Sequence, residues 1–120
     1  MTERRSLDRS NLSIYLRAKD RDSNEYMGYM IDVNICGFLL LNEHELPVNH
    51  TFKVDIELPK PIDGRSQVEC RAVSRRCVKS SNPSFFEIGF EIIDIHPSER
   101  FVLEKAILRY EFVVNQQVAR

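Results

Sequence analysis

The chain has 120 residues, a formal net charge of −1, 42% hydrophobic and 29% charged residues, four Gly and five Pro. That length fits one domain and excludes large catalytic architectures such as an eight-fold α/β barrel, which takes roughly 250 residues. The composition is that of a folded globular chain, and a pI near 6.3 argues against reading DNA or RNA by bulk electrostatics, a role for domains above about pI 9.

In chain order, residues 1–10 form a polar, arginine-bearing segment expected to be mobile, ahead of one domain over 11–115. Leu12, Ile14 and Leu16 then alternate with Asn11, Ser13, Tyr15 and Arg17, the period of a half-buried strand. Less regular strands are expected at Tyr26–Val33, Phe38–Asn42 and Ser66–Val78. Clean alternation returns at Phe52, Val54, Ile56 and Leu58, and again at Phe86, Ile88, Phe90 and Ile92. Turn-like segments separate them at 20–24, 42–49, 59–65 and 79–84. Pro59 and Pro61 lack the N–H that a central strand needs, so the strand before them is expected to end there. After His96 the period changes to three and four, through Leu103, Ala106, Ile107, Tyr110 and Val114. This predicts an amphipathic helix from Pro97 to Val113, with His96 or Ser98 as N-cap. Six strands and one C-terminal helix suggest a mainly β protein, a small antiparallel barrel closed at one end by the helix. The helix could pack on its own barrel or pair with a second copy as a homodimer.

The charge is uneven. Residues 1–21 carry six basic and three acidic side chains, a net of +3, and residues 65–79 carry five and one, a net of +4. The rest of the chain is at −8. Two basic segments against an acidic body can form a local anion site if they meet. Arg71, Arg75 and Arg76 either extend that positive surface or, more simply, form a solvated strand face with salt bridges to neighbours. Cys36, Cys70 and Cys77 are an odd number without Cys-x-x-Cys spacing, which reads as free thiols in a reducing cytoplasm. No apolar run reaches the length of a membrane span or resembles a signal peptide, so membrane insertion is not expected.

The inventory offers no catalyst. His44, His50 and His96 have no metal-ligand spacing with each other or the cysteines. There is no P-loop, no dinucleotide-binding glycine motif and no Gly-x-Ser-x-Gly elbow, and neither a metal nor a cofactor is expected. A barrel for single-stranded nucleic acid would need aromatic platforms among cations. Tyr26, Tyr29 and Phe38 are the candidates, but the acidic remainder argues against it.

Two motifs remain. Arg4-Arg5-Ser6-Leu7-Asp8-Arg9 contains Arg-x-x-x-Arg at Arg5 and Arg9. Asp32-Val33-Asn34-Ile35-Cys36-Gly37 follows, on a strand running into a turn. Read alone, Asp32 and Gly37 could simply shape that turn, with Asp32 bonding backbone N–H groups. In this order, ahead of the later Ile88-Gly89-Phe90 element, the motifs resemble the PilZ domain family. That family is marked by Arg-x-x-x-Arg before the first strand and Asp/Asn-x-Ser/Ala-x-x-Gly between two early strands.

The resemblance implies a six-stranded antiparallel PilZ-like β-barrel with a C-terminal helix, a non-enzymatic receptor for cyclic di-GMP. Arg5 and Arg9 would clamp guanine edges and phosphates, which suit a planar guanidinium. Asp32, Asn34 and Gly37 would form the opposite wall, the carboxylate facing guanine N–H donors and the glycine allowing an unusual backbone angle or a close ligand approach. Arg4, just before the pair, adds a third cation and favours an intercalated pair of ligands. Ligand binding would order the arginine arm, and an unidentified effector protein would carry the output. The family's Ser or Ala is here the larger Asn34, which could replace the hydroxyl contact or crowd the guanine. A PilZ-like adaptor that has lost the nucleotide and works by protein contacts is therefore the alternative.

Overall fold

In the computed structural model, residues 16–118 are described, with side chains through 109. They form β1 (Arg17–Asp20), β2 (Glu25–Asn34), β3 (Gly37–Asn42), β4 (Thr51–Ile62), β5 (Arg65–Lys79), β6 (Phe86–Asp94) and α1 (Pro97–Val118). The strands close into one antiparallel barrel in the order β1-β2-β3-β6-β5-β4, with β4 returning to pair with β1. The predicted strand over 11–17 falls outside the described residues except at its end, where Leu16 is buried as its alternation requires.

Alternation fills the interior. Val54, Ile56, Val68, Ala72, Leu40 and Ile88 are fully buried, and Phe38 stacks on Phe90 at 5.0 Å with Phe52 edge-on to Phe90 at 5.7 Å. Each aromatic side chain of this kind removes a large apolar area from water, the main favourable term in folding. Val102, Leu103 and Ala106 of α1 join the same cluster, and the helix lies against β5, β4 and β2. Val102 was not part of the predicted helical stripe. His96 caps the helix: its Nδ1 accepts from the Ser98 amide at 3.2 Å, and Pro97 opens the first turn.

The helix predicted to end at Val113 runs to Val118, and the end of β4 is also corrected. β4 does not stop before Pro59 but runs through Pro59 and Pro61 to Ile62. Its ladder with β5 breaks between Glu57 and Ile62, so neither proline is asked for a cross-strand N–H. The tight turn is Asp63-Gly64, both at positive φ (52° and 77°), the conformation of a two-residue hairpin loop.

Two bulges decide which side chains face out. Counting by twos from buried Met30 would turn Asp32 inward. The β2–β3 register instead slips between Met30 and Asp32, which leaves Asp32 and Asn34 exposed and packs Val33 against the core. On β5, alternation from Val68, Cys70, Ala72 and Ser74 would bury Arg76. The register slips between Ser74 and Arg76, so Arg75 and Arg76 are both exposed and Cys77 turns to the core. An extra residue in one strand is the usual way a sheet re-aims a side chain.

Candidate ligand-binding groove

Between these bulges the outer face of β2, β3, β6 and β5 carries an open groove of about 450 Å³. Asp32 and Asn34 lie on one side, Arg75 and Glu91 on the other. The register explains the depression. One row across the sheet runs Asp32, Leu39, Gly89, Arg76, and the next runs Asn34, Gly37, Glu91. A glycine on each central strand leaves no side chain there, and the stacked Phe38–Phe90 pair supports the floor from the core side.

Each residue of the second motif has a defined role in this geometry. Asn34 Oδ1 accepts hydrogen bonds from the amides of Cys36 (2.7 Å) and Gly37 (3.1 Å) and so closes the β2–β3 turn. The turn-shaping acceptor is thus Asn34, not Asp32. Asp32 has no hydrogen bond or ion pair among the described residues and is exposed on the groove's edge. Gly37 does not adopt positive φ. A side chain there would run into the Phe90 carbonyl oxygen, so the glycine admits the neighbouring strand β6. The Ile92 amide donates to the Cys36 carbonyl at 2.8 Å and fixes the turn against β6. Arg4, Arg5 and Arg9 lie outside the described residues.

The groove contains residues that the motifs did not include. Arg75 bonds Glu91 through Nε at 2.9 Å and pairs with it through a terminal nitrogen, also at 2.9 Å. Gly89 forms part of the floor. The cluster Arg71, Arg75, Arg76 was visible in the sequence, but only the bulge shows that Arg75 reaches the groove.

Among the described residues, most cations of the two basic segments are neutralised locally. Arg17 pairs with Glu57 (3.1 Å), Arg21 with Asp55 (2.9 Å), Arg65 with Glu99 (2.6 Å) and Arg71 with Asp94 (3.9 Å). The salt-bridged strand face is therefore what Arg71 and Arg75 form, while Arg76 has no ion pair among the described residues. The aromatic platforms do not assemble either. Phe38 is buried in the core, and Tyr26 is covered by the Arg17 guanidinium at 4.2 Å, with its hydroxyl bonded to Glu57. Among the described residues no cluster of His, Cys, Asp and Glu could hold a metal ion, and no helix is long and apolar enough to cross a membrane.

The fold is a closed six-stranded antiparallel barrel with one C-terminal helix and an open groove beside its β2–β3 turn. The chain belongs to the PilZ domain family, whose family model matches residues 3–112. Two solved structures share the fold. One is the Bacillus subtilis inhibitor of motility MotI/DgrA, with a TM-score of 0.63 and 16% identity over 79% of this chain and 46% of that one. The other is MrkH of K. pneumonia in its apo state, with a TM-score of 0.62 and 13% identity over 86% of this chain and 48% of that one. The chain thus spans about half the length of each. No curated protein matches the chain.

Proposed function

We propose that the protein is a cyclic di-GMP receptor that acts on a separate effector protein and is not an enzyme. The observation that carries this reading is the groove, where Asp32, Asn34 and Gly37 meet on one outward face. The Asp32 carboxylate, without a partner among the described residues, suits the N–H groups of a guanine edge. Arg5 and Arg9 supply bidentate contacts to guanine acceptors and phosphates, and Arg4 adds charge for a second, intercalated nucleotide. The nucleotide draws these arginines onto the barrel, and the surface so formed is what the effector recognises.

Titration calorimetry with cyclic di-GMP tests this. Heat release and a thermal shift at tens of micromolar ligand are expected. Arg5→Ala and Arg9→Ala should each weaken binding by about 1.5 kcal/mol or more, the loss of a charged hydrogen bond. No heat from the unaltered protein overturns the reading.

One observation favours a second reading, an adaptor that works without nucleotide. Asn34 spends its carbonyl oxygen on the Cys36 and Gly37 amides, so only its amide nitrogen is left for a ligand. In that case the same titration is silent, and Asn34→Ser restores binding by shortening the side chain.

A further inference from the structure

Among the described residues, the groove is not electropositive. Its charged lining residues are Asp32, Arg75 and Glu91, which sum to −1. An anion entering it meets two carboxylates, and the one lining cation among the described residues is already held by Glu91. Arg76 stands next to Arg75 on the bulge and opposite Gly89, with no ion pair among the described residues. The Arg75–Glu91 pair is half in solvent, with side-chain exposures of 51% and 56%. Exposed pairs of this kind are strongly screened and contribute little to stability, so breaking this one costs the fold little. A phosphodiester offers the same acceptor geometry as the carboxylate, with charge-assisted bonds from the same guanidinium fork.

We propose that Arg75 is a ligand-gripping cation kept in reserve by Glu91, and that binding exchanges the Arg75–Glu91 pair for one between Arg75 and a phosphate of the nucleotide. Glu91 is then a built-in competitor that sets how tightly the groove takes an anion. The device follows from position. Glu91 sits opposite Gly37 in the β3–β6 register, beside the Asn34 turn, and the β5 bulge brings Arg75 to it. When Arg75 leaves, the freed Glu91 carboxylate faces water, where its charge is solvated.

This inference rests on the receptor reading above, and the test separates the two. Calorimetry with cyclic di-GMP is run on the unaltered protein, Glu91→Gln, Arg75→Ala and the control Glu87→Gln, which removes one negative charge from the same strand away from the groove. Glu91→Gln should bind about fivefold more tightly, and Arg75→Ala about tenfold more weakly, the scale of one charged hydrogen bond. Glu87→Gln should match the unaltered protein. Unchanged affinity in Arg75→Ala, or equal tightening in the two Glu→Gln variants, overturns the exchange and leaves the receptor reading standing. If the unaltered protein gives no heat, the receptor reading falls. Binding gained by Glu91→Gln alone would then still support Glu91 as competitor, and silence from that variant too would overturn the exchange.

Discussion

Gly37 and Gly89 lie in adjacent rows on the two central strands of the groove and are glycine for different reasons. At Gly37 a methyl would strike the Phe90 carbonyl oxygen, backbone that cannot give way without parting β3 from β6. At Gly89 the nearest atom to an added methyl is Arg76 Cβ at 3.9 Å, an ordinary contact. Gly37→Ala should therefore cost about 2 kcal/mol or more, in the range of substitutions that strain packed backbone. Gly89→Ala should leave stability level or raise it by up to about 1 kcal/mol, because a strand glycine carries excess entropy in the unfolded chain. The same methyl lies on the groove floor, so on the proposed receptor reading Gly89→Ala should weaken nucleotide binding in a protein that melts normally. Thermal denaturation and titration of the two variants check this together. Melting of Gly89→Ala well below the unaltered protein would mean that the floor is packed more tightly than these distances imply.

At the scale of elements, the β4–β5 hairpin holds the helix through two ion pairs. Lys105 reaches Asp63 in the turn at 2.8 Å, and Glu99 reaches Arg65 at 2.6 Å while also accepting from the Glu69 amide at 2.9 Å. Burial pushes the Glu99 carboxyl up, but the Glu69 amide and the Arg65 guanidinium pull it further down, to a net position below the ordinary 4.5. A carboxylate lowered in the folded state adds stability that is fully present above its unfolded value and is lost as pH falls through its folded value. Glu99→Gln should then cost about 1.5 kcal/mol at neutral pH, toward the low end for charged hydrogen bonds because Arg65 is partly exposed. The deficit should stay flat down to pH 5 and shrink below 4.5, as read from urea midpoints across pH. A deficit independent of pH would place the role of Glu99 in packing rather than charge. The elements themselves were largely legible in the sequence. Phe52 to Leu58 and Phe86 to Ile92 alternate cleanly, and Leu103, Ala106 and Ile107 repeat at helical spacing. The bulges were not, because a slip such as that between Ser74 and Arg76 is fixed by the partner strand, which the local pattern does not contain. That is why Arg75 looked like one more solvated cation, and why the prolines of β4 appeared to end a strand that continues past them.

At the scale of the molecule, among the described residues, the second basic stretch does not form a basic patch as its total charge would suggest. It coincides with β5, and three of its four arginines are met by acids from α1 and β6: Arg65 by Glu99, Arg71 by Asp94 and Arg75 by Glu91. Sequence totals could not show this pairing, since it depends on strand order. The same order leaves β5 flanked on both sides, by β4 and β6, in a barrel with no open edge. Cys70, in the middle of β5, is thereby sealed: it is 4% exposed, and burial pushes its thiol up to about 12 against the opposing pull of Arg21. Since the thiolate is the nucleophile, Cys70 should ignore Ellman's reagent until β5 is freed from both neighbours, which amounts to opening the barrel. Exposed Cys36 should react at once in native buffer, and half-buried Cys77 more slowly. In rising urea, labelling of Cys70 should follow the loss of circular dichroism with the same midpoint, as expected when its exposure requires global rather than local opening. Labelling of Cys70 in native buffer at the rate of Cys36 would mean that β5 detaches on its own and that the closed barrel is not a cooperative unit.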